Sequence, residues 1–503
     1  MWQTFFMGHR VTSFEYKGGK PMPGIENLEP KLVWKHFDQI RKIPRCSKHE
    51  EKIREYIVNF GKSQGLKTKV DDVGNVVISK PATEGMQKKP TVILQGHMDM
   101  VCEKNSDVKF DFTKDPIQLK ITGDLLTANG TTLGADNGIG LAISLAILED
   151  KKVRHGSLES LYTVDEETGL TGAFAMKSEM LTGKIMLNLD SEDFGVLTVG
   201  CAGGGDSTID LPIKMQPMVS GAECLMVKVL GLRGGHSGVD IHEQRGNAIK
   251  LLARILWKTS QTFQFALFDI KGGDKHNAIP RETYAKIALD KKDKNAFITA
   301  VKTEEKDILE EIKPIDPNFK VEISACESSK QTLDKPSQTK LLNLLHGLPH
   351  GVHLMNYDIK SLVDTSTNLA TVSLKENTAS MVMSSRSPMK SELQNMRNRI
   401  KAIASLAGAT VTEAAAYPGW KPNLQSKILA LSKKTFKDMF NAEPKIEAIH
   451  AGLECGIIGE KFPGMDMISI GPTLKNPHSP EEQLHISTVE KFYKYLLKIL
   501  ESV

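Results

Sequence analysis

Apolar residues recur in two rhythms along this chain. In "LVWKHFDQIRKI" (32–43) and "EEKIREYIVNFGKSQG" (50–65) they return every three or four positions, as the buried face of a helix requires. "LKTKVDDVGNVVISK" (66–80) predicts a strand, a turn and a strand, and "TVILQGHMD" (91–99) a buried strand. "NGIGLAISLAILED" (137–150) predicts an apolar helix that starts among glycines, while "GSLESLYTVDEE" (156–167) and "KIMLNLDSED" (184–193) predict further strands. Strand and helix signals that alternate in this way indicate an α/β domain with a largely parallel sheet. The rhythm changes near residue 204. "STIDLPIKM" (207–215) and "ECLMVKVLGLRGGHSG" (223–238) alternate like strands with one solvated face, and "NAIKLLARILWKTS" (247–260) is helical. "MVMSSRS" (381–387), "ELQNMRNRIKAIASLAG" (392–408) and "ATVTEAAAYP" (409–418) give strand, helix and strand, so this stretch is α+β material. Beyond Pro418 come the helix "KILALSKKTFKDMF" (427–440), the strand "MDMISIGPT" (465–473) and the helix "STVEKFYKYLLKILESV" (487–503).

A length of 503 residues exceeds what one simple core holds, which agrees with two folding units. With 40% hydrophobic and 25% charged residues the composition is that of an ordinary globular protein. A net charge of +4 with scattered lysines gives no electrostatic footprint for nucleic acid, and no Walker loop or aromatic-basic RNA motif occurs. No apolar run is long enough to span a membrane. The first residues, "MWQTFFMGHRVTSFEYKGGK", lack the basic and apolar regions of a signal peptide and match no folded element. Residues 1–27 are therefore expected to be a disordered extension. The six cysteines, Cys46, Cys102, Cys201, Cys224, Cys326 and Cys455, form no CxxC pair. They read as reduced, cytoplasmic thiols rather than as a disulfide framework or a thiolate metal site.

The candidate chemistry sits where predicted strands end. In "VILQGHMDM", His97 and Asp99 share one face of the strand, so Asp99 is either a partner for the imidazole or a ligand itself. Asp136 in "TTLGADNGIG" lies where a glycine-rich turn feeds a helix, whose positive end would favour its charge; on its own this position reads as a capping aspartate. "TVDEETG" holds Asp165, Glu166 and Glu167, adjacent carboxylates that repel one another unless solvent or a cation intervenes. In extended chain, neighbours point opposite ways, which would let one glutamate ligate while the other acts as a base. Asp190 follows another buried strand in "LNLDSED", and "GPTLKNPHSPEEQLH" offers His478 and His485. Carboxyl ends of strands form the ligand crevice of open α/β sheets. Histidine and carboxylate ligands without cysteine suit zinc, manganese or cobalt, and a shared carboxylate can hold two ions.

The order "GHMDM", "GADNG", "DEETG", "NLDSE" and "PHSPEE" resembles the M20 family of dinuclear zinc peptidases. "DFTKDPIQ", "GTTLGADNGIG", "GCAGG", "GLRGGHSG", "NAIPRE", "AYPGW", "IHAGLECG" and "SIGP" are similar to its aminoacyl-histidine (Xaa-His) dipeptidase branch, over roughly residues 28–503. The resemblance implies a mixed, largely parallel α/β catalytic domain of zinc-peptidase type, residues 28–203 and 417–503, with an inserted α+β lid domain, residues 204–416. It implies two Zn2+ (with Co2+ or Mn2+ as substitutes) held by His97, Asp136 as bridge, Glu167, Asp190 and His478. Glu166 would be the general base, Asp99 would orient His97, and the Asp136–Asn137 peptide would be cis. His485 is left as a surface residue or neighbour of the last helix. From the lid, His236 would support the oxyanion while Asn277 and Arg386 hold the substrate's backbone or carboxylate; Glu454 is a candidate for its free amine. The implied protein is a cytoplasmic homodimer acting on dipeptides such as carnosine, with no nucleic-acid or membrane partner. In dimeric relatives the lid histidine reaches the partner's active site. The alternatives are another amidohydrolase of the family, an N-acyl amino acid deacylase or aminotripeptidase, and a non-catalytic metal-binding homologue.

Overall fold

The computed structural model describes residues 24–360 and 362–503. Its first sheet has eight strands, in the order Lys67–Val70, Val76–Lys80, Leu158–Thr163, Val92–His97, Ile185–Asn188, Asp466–Ser469, Val196–Cys201 and Lys445–Ile449. The four strands from Leu158–Thr163 to Asp466–Ser469 pair in parallel. Every residue of Val92–His97 and of Leu158–Thr163 is buried, as expected for parallel strands covered on both faces. Val92 and Leu94 pack into a core shared with the helices Lys31–Ile40, Ala135–Glu149, Lys427–Phe440 and Ile486–Ser502. Ile93 faces the other way, towards Ile457 and Ile458 of the helix Glu454–Lys461. At Gly96 the sheet touches the helix Ala135–Glu149 so closely that a Cβ would lie 2.3 Å from Asn137 Oδ1.

The second sheet has nine strands, lies between Gly203 and Glu413, and pairs antiparallel throughout. Burial alternates along Glu223–Leu230, the sign of one covered and one solvated face. The helices Ala248–Ser260, Lys294–Ile312, Lys335–Gly347 and Lys390–Ala407 supply the cover and share its core. The architecture is thus the expected mixed α/β fold carrying an α+β lid. No helix among the described residues is long and apolar enough to cross a membrane.

Three expectations need adjustment. Most of the disordered extension expected over residues 1–27 lies outside the described residues, but Ile25–Asn27 forms a 3-10 turn and Ile25 is buried in the first core. Cys46 and Cys102 are not free thiols: they form a disulfide with Cα atoms 5.7 Å apart. Their 56-residue separation hides a contact made by a parallel bridge between Cys46 and Met100. Glu166 and Glu167 are not in extended chain either. Asp165 turns the backbone to φ 52°, and Glu166–Gly169 is a single helical turn. The two glutamates diverge because successive helical residues are rotated by about 100°.

Candidate metal centre

His97 ends the second of three adjacent parallel strands. Glu166 and Glu167 follow the strand on one side of it and Asp190 the strand on the other. Asp136 opens the helix Ala135–Glu149, after Gly134 in the left-handed region at φ 66°. The Asp136–Asn137 peptide is cis, as expected, and Asn137 Nδ2 donates to Leu189 O at 2.8 Å. His478 arrives from a loop of the C-terminal segment with φ 61° and a half-exposed ring.

These side chains converge. His97 Nε2 lies 3.0 Å from Asp136 Oδ1 and 3.3 Å from Asp190 Oδ1. His478 Nε2 lies 3.2 Å from Asp136 Oδ2 and 2.9 Å from Glu167 Oε2. Asp136 therefore turns one oxygen to each imidazole. Ligand atoms of His97, Asp136 and Glu167 all fall within 4.8 Å of one another. Glu167 Oε1 is buried without a hydrogen-bond partner.

Asp99 is not among the converging groups. Its carboxylate accepts from Glu166 N at 3.0 Å, Glu167 N at 3.1 Å and Ser47 Oγ at 2.8 Å, and it lies 3.2 Å from His97 Nδ1. Burial opposes its charge, but His97 and these donors hold its pKa down at about 2. An ionised Asp99 keeps the proton of neutral His97 on Nδ1. The lone pair on Nε2 then faces two carboxylate oxygens, an arrangement that calls for a cation between them. The electrostatics agree. Burial works against charge on His97, yet Asp190, Asp136 and Asp99 hold its pKa well above the ordinary value. Hydrogen bonds from His478 to Asp136 and Glu167 push its pKa up to about 11. Burial, with Asp136 and Glu167 nearby, drives Asp190 up to about 7 despite His97. Burial likewise raises Glu166 well above the carboxylate range. These shifts mark a pocket of carboxylates that attracts positive charge, the charge a cation between them would supply. The donor set fits divalent metal.

Two bracing residues escaped the sequence reading. Buried Glu482 accepts from four backbone N–H groups, those of Leu133, Gly134 and Ala135 at 2.7–2.9 Å and of Asp136 at 3.2 Å. It is the last residue of "PHSPEE", so the motif carried it without revealing its role. Arg45, also buried, donates to the carbonyls of Met98 at 3.1 Å, Asp99 at 2.6 Å and Gly134. No local pattern marks that arginine. A second buried carboxylate group, Glu50, Asp99 and Asp165, lies behind the first. It is satisfied from within: Glu50 accepts from Lys48 N and Asp165 N, and Asp165 from the hydroxyls of Thr168 and Thr171.

The remaining candidates are dispersed. Glu454 is buried at the start of its helix, where its Oε2 accepts from Gln95 Nε2 at 2.6 Å and Thr163 Oγ1 at 2.7 Å. Its Oε1 has no partner, and burial raises its pKa to about 7. His236, Asn277 and Arg386 belong to the lid. His236 pairs with Ala278 across a short ladder, and its Nδ1 accepts from Gly238 N and Val239 N at 3.2 and 3.0 Å. That leaves its proton on Nε2. Burial and Arg386 lower its pKa to about 4, so the ring is neutral. Asn277 is exposed. Among the described residues, no hydrogen bond or ion pair joins any of these three to the His97–Asp136–His478 group. His485 is apart from the centre, with Nδ1 3.7 Å from Asp124 Oδ2.

A largely parallel sheet with histidines and carboxylates gathered at its strand ends, carrying an antiparallel lid, has the make-up of a metal-dependent hydrolase. The chain belongs to peptidase family M20/M25/M40, whose family model matches residues 93–502. It is 40% identical over 483 residues to the cytosol non-specific dipeptidase of Escherichia coli K12, covering 96% of this chain and 99% of that relative. The solved structure of aminoacylhistidine dipeptidase from Vibrio alginolyticus superposes with a TM-score of 0.89 at 40% identity, covering 96% of this chain and 98% of the other. Aminopeptidase PepT from Bacillus cereus shares the fold, with a TM-score of 0.54 at 16% identity over 94% of this chain and 98% of that one.

Proposed function

We propose that this chain is a dinuclear zinc dipeptidase that hydrolyses Xaa-His dipeptides, carnosine among them, and works as a homodimer in the cytoplasm. The observation that carries the reading is the pair of imidazoles whose ring nitrogens meet opposite oxygens of Asp136. Asp136 would bridge two ions, with His97 and Asp190 completing one site and Glu167 and His478 the other; cobalt or manganese would fit the same donors. Substrate class and compartment follow the relatives' descriptions as an aminoacylhistidine dipeptidase and a cytosolic dipeptidase.

Bound divalent ions would supply Lewis-acid charge that polarises the scissile carbonyl and lowers the pKa of water. The protein's own groups do the rest. Asp99 fixes the His97 ring and, through the N–H groups of Glu166 and Glu167, the turn that carries both glutamates. Glu166 takes the proton of the attacking water and returns it to the leaving amine. His236 donates from Nε2–H to the oxyanion. In a homodimer the partner would bring this lid histidine to the centre. Arg386 and Asn277 hold the terminal carboxylate and the backbone, and Glu454 Oε1 is the atom available to the free amine.

Dialysis against a chelator followed by metal readdition, with bound metal counted per chain, tests the centre. Activity should vanish and return with two equivalents of zinc. A panel of carnosine, other dipeptides and N-acetyl amino acids tests the substrate class; preference for the acetylated compounds would replace the dipeptidase with a deacylase.

A further inference from the structure

The chain crosses between the two sheets twice, and the crossings pair with each other. Cys201 and Trp420 exchange backbone hydrogen bonds of 2.9 Å in both directions. Gly204 and Tyr417 do the same, at 3.1 and 2.9 Å. The result is a short two-stranded ribbon joining lid to catalytic sheet. Its strands touch at Gly203 and Gly419, where a Cβ on either would lie 2.5–2.6 Å from the other's amide nitrogen. The Tyr417 ring lies over Gly204: a Cβ there would meet the hydroxyl at 2.5 Å and Cζ at 2.6 Å.

That hydroxyl accepts from Arg386 Nη1 at 2.8 Å. Arg386 is only 6% exposed, and Nε is buried without a partner. Among the described residues no carboxylate pairs with it. A buried guanidinium normally has an anionic partner. The neighbouring histidines supply no anion: His236 and His450 are neutral, and His450 Nε2 is engaged with Ser366 Oγ at 2.7 Å. With Nη1 held by Tyr417, Nε and Nη2 remain for a carboxylate, which a guanidinium binds best through two parallel bonds.

We propose that Tyr417 is a positioning residue for the reaction: from the inter-sheet ribbon it sets the Arg386 guanidinium to receive the substrate's terminal carboxylate, and so selects a free C-terminal acid. The proposal rests on the assignment of Arg386 to that carboxylate. It gives the absence of a side chain at Gly204 a purpose, because a Cβ there would push the phenol off the guanidinium.

The test compares a dipeptide with its C-terminal amide, each as substrate and as competitive inhibitor, in the metal-loaded enzyme. Tyr417→Phe keeps the ring and removes one hydrogen bond to a charged group, so the acid-over-amide ratio of kcat/KM should fall about tenfold, through KM. Gly204→Ala should shift the ratio the same way by displacing the ring. Arg386→Ala should abolish the discrimination. If Arg386→Ala leaves the ratio intact, the assignment of Arg386 is wrong and the proposal falls with it. If Arg386→Ala removes the preference while Tyr417→Phe weakens acid and amide alike, Tyr417 is merely structural and the proposal alone is overturned.

Discussion

The polar groups at the ends of the first sheet and those of the lid are built differently. Around the metal centre the orienting carboxylates are saturated, Asp99 by two backbone N–H groups, a hydroxyl and an imidazole and Glu482 by four N–H groups, while Arg45 donates to three carbonyls. In the lid, the Arg386 guanidinium has one hydrogen bond and the His236 ring accepts only from two backbone N–H groups of its own loop. Saturation fixes ligand positions before an ion arrives, whereas spare hydrogen-bonding capacity is what a substrate fills. The contrast assigns different consequences to mutation in the two regions.

The largest effect is expected at Glu166. Glu166→Gln removes the proposed base but keeps the backbone N–H that Asp99 binds, so kcat should drop about a thousandfold while bound metal stays at wild-type level. Loss of metal together with activity would exchange the roles of Glu166 and Glu167. His236→Ala, on the lid side, should lower kcat by about a hundredfold, the scale of one lost oxyanion donor, again with metal retained. Parallel loss of metal would place His236 among the ligands and end the contrast between the regions. Glu482→Gln touches neither substrate nor ion. It removes the charge and one acceptor that gather the N–H groups before Asp136, so metal affinity should fall about tenfold or more, measured by competition with a chelating dye. Unchanged affinity would mean that the Asp136 turn holds itself.

The legible part of this molecule was the part encoded by local rhythm. The run "VILQGHMDM" announced a buried strand with chemistry at its end, and the structure has Val92–His97 wholly buried between parallel neighbours. Reading alone left Asp99 between ligand and partner, and the geometry resolves it as the partner of Nδ1. What stayed hidden depends on distance along the chain. Arg45 reaches Gly134 across 89 residues and Glu482 reaches Leu133 across 349, and neither leaves a periodic trace. The turn at Asp165 was missed because a left-handed aspartate looks like any other acidic residue at a strand end, and its Thr168 and Thr171 supports sit further on.

The smallest effect on catalysis, and the clearest on stability, is expected at the disulfide. Cys46 and Cys102 flank the bracing segment, Cys46 lying between Arg45 and Ser47, yet neither sulfur contacts the converging ligands. Closing a loop of 56 residues restricts the unfolded chain by up to about 4 kcal/mol in the chain-entropy treatment. A thiol reductant opens such a pair by exchange. Thiol counting under denaturing conditions should therefore find six reactive thiols in protein isolated with reductant and four after oxidation. The oxidised form should melt at the higher temperature, while kcat stays the same in both, because the hydrogen bonds of Asp99 and Arg45 keep the centre in place without the bridge. A fall in kcat or in bound metal on reduction would show that those bonds do not suffice, and that the bracing of the first region depends on a covalent tie.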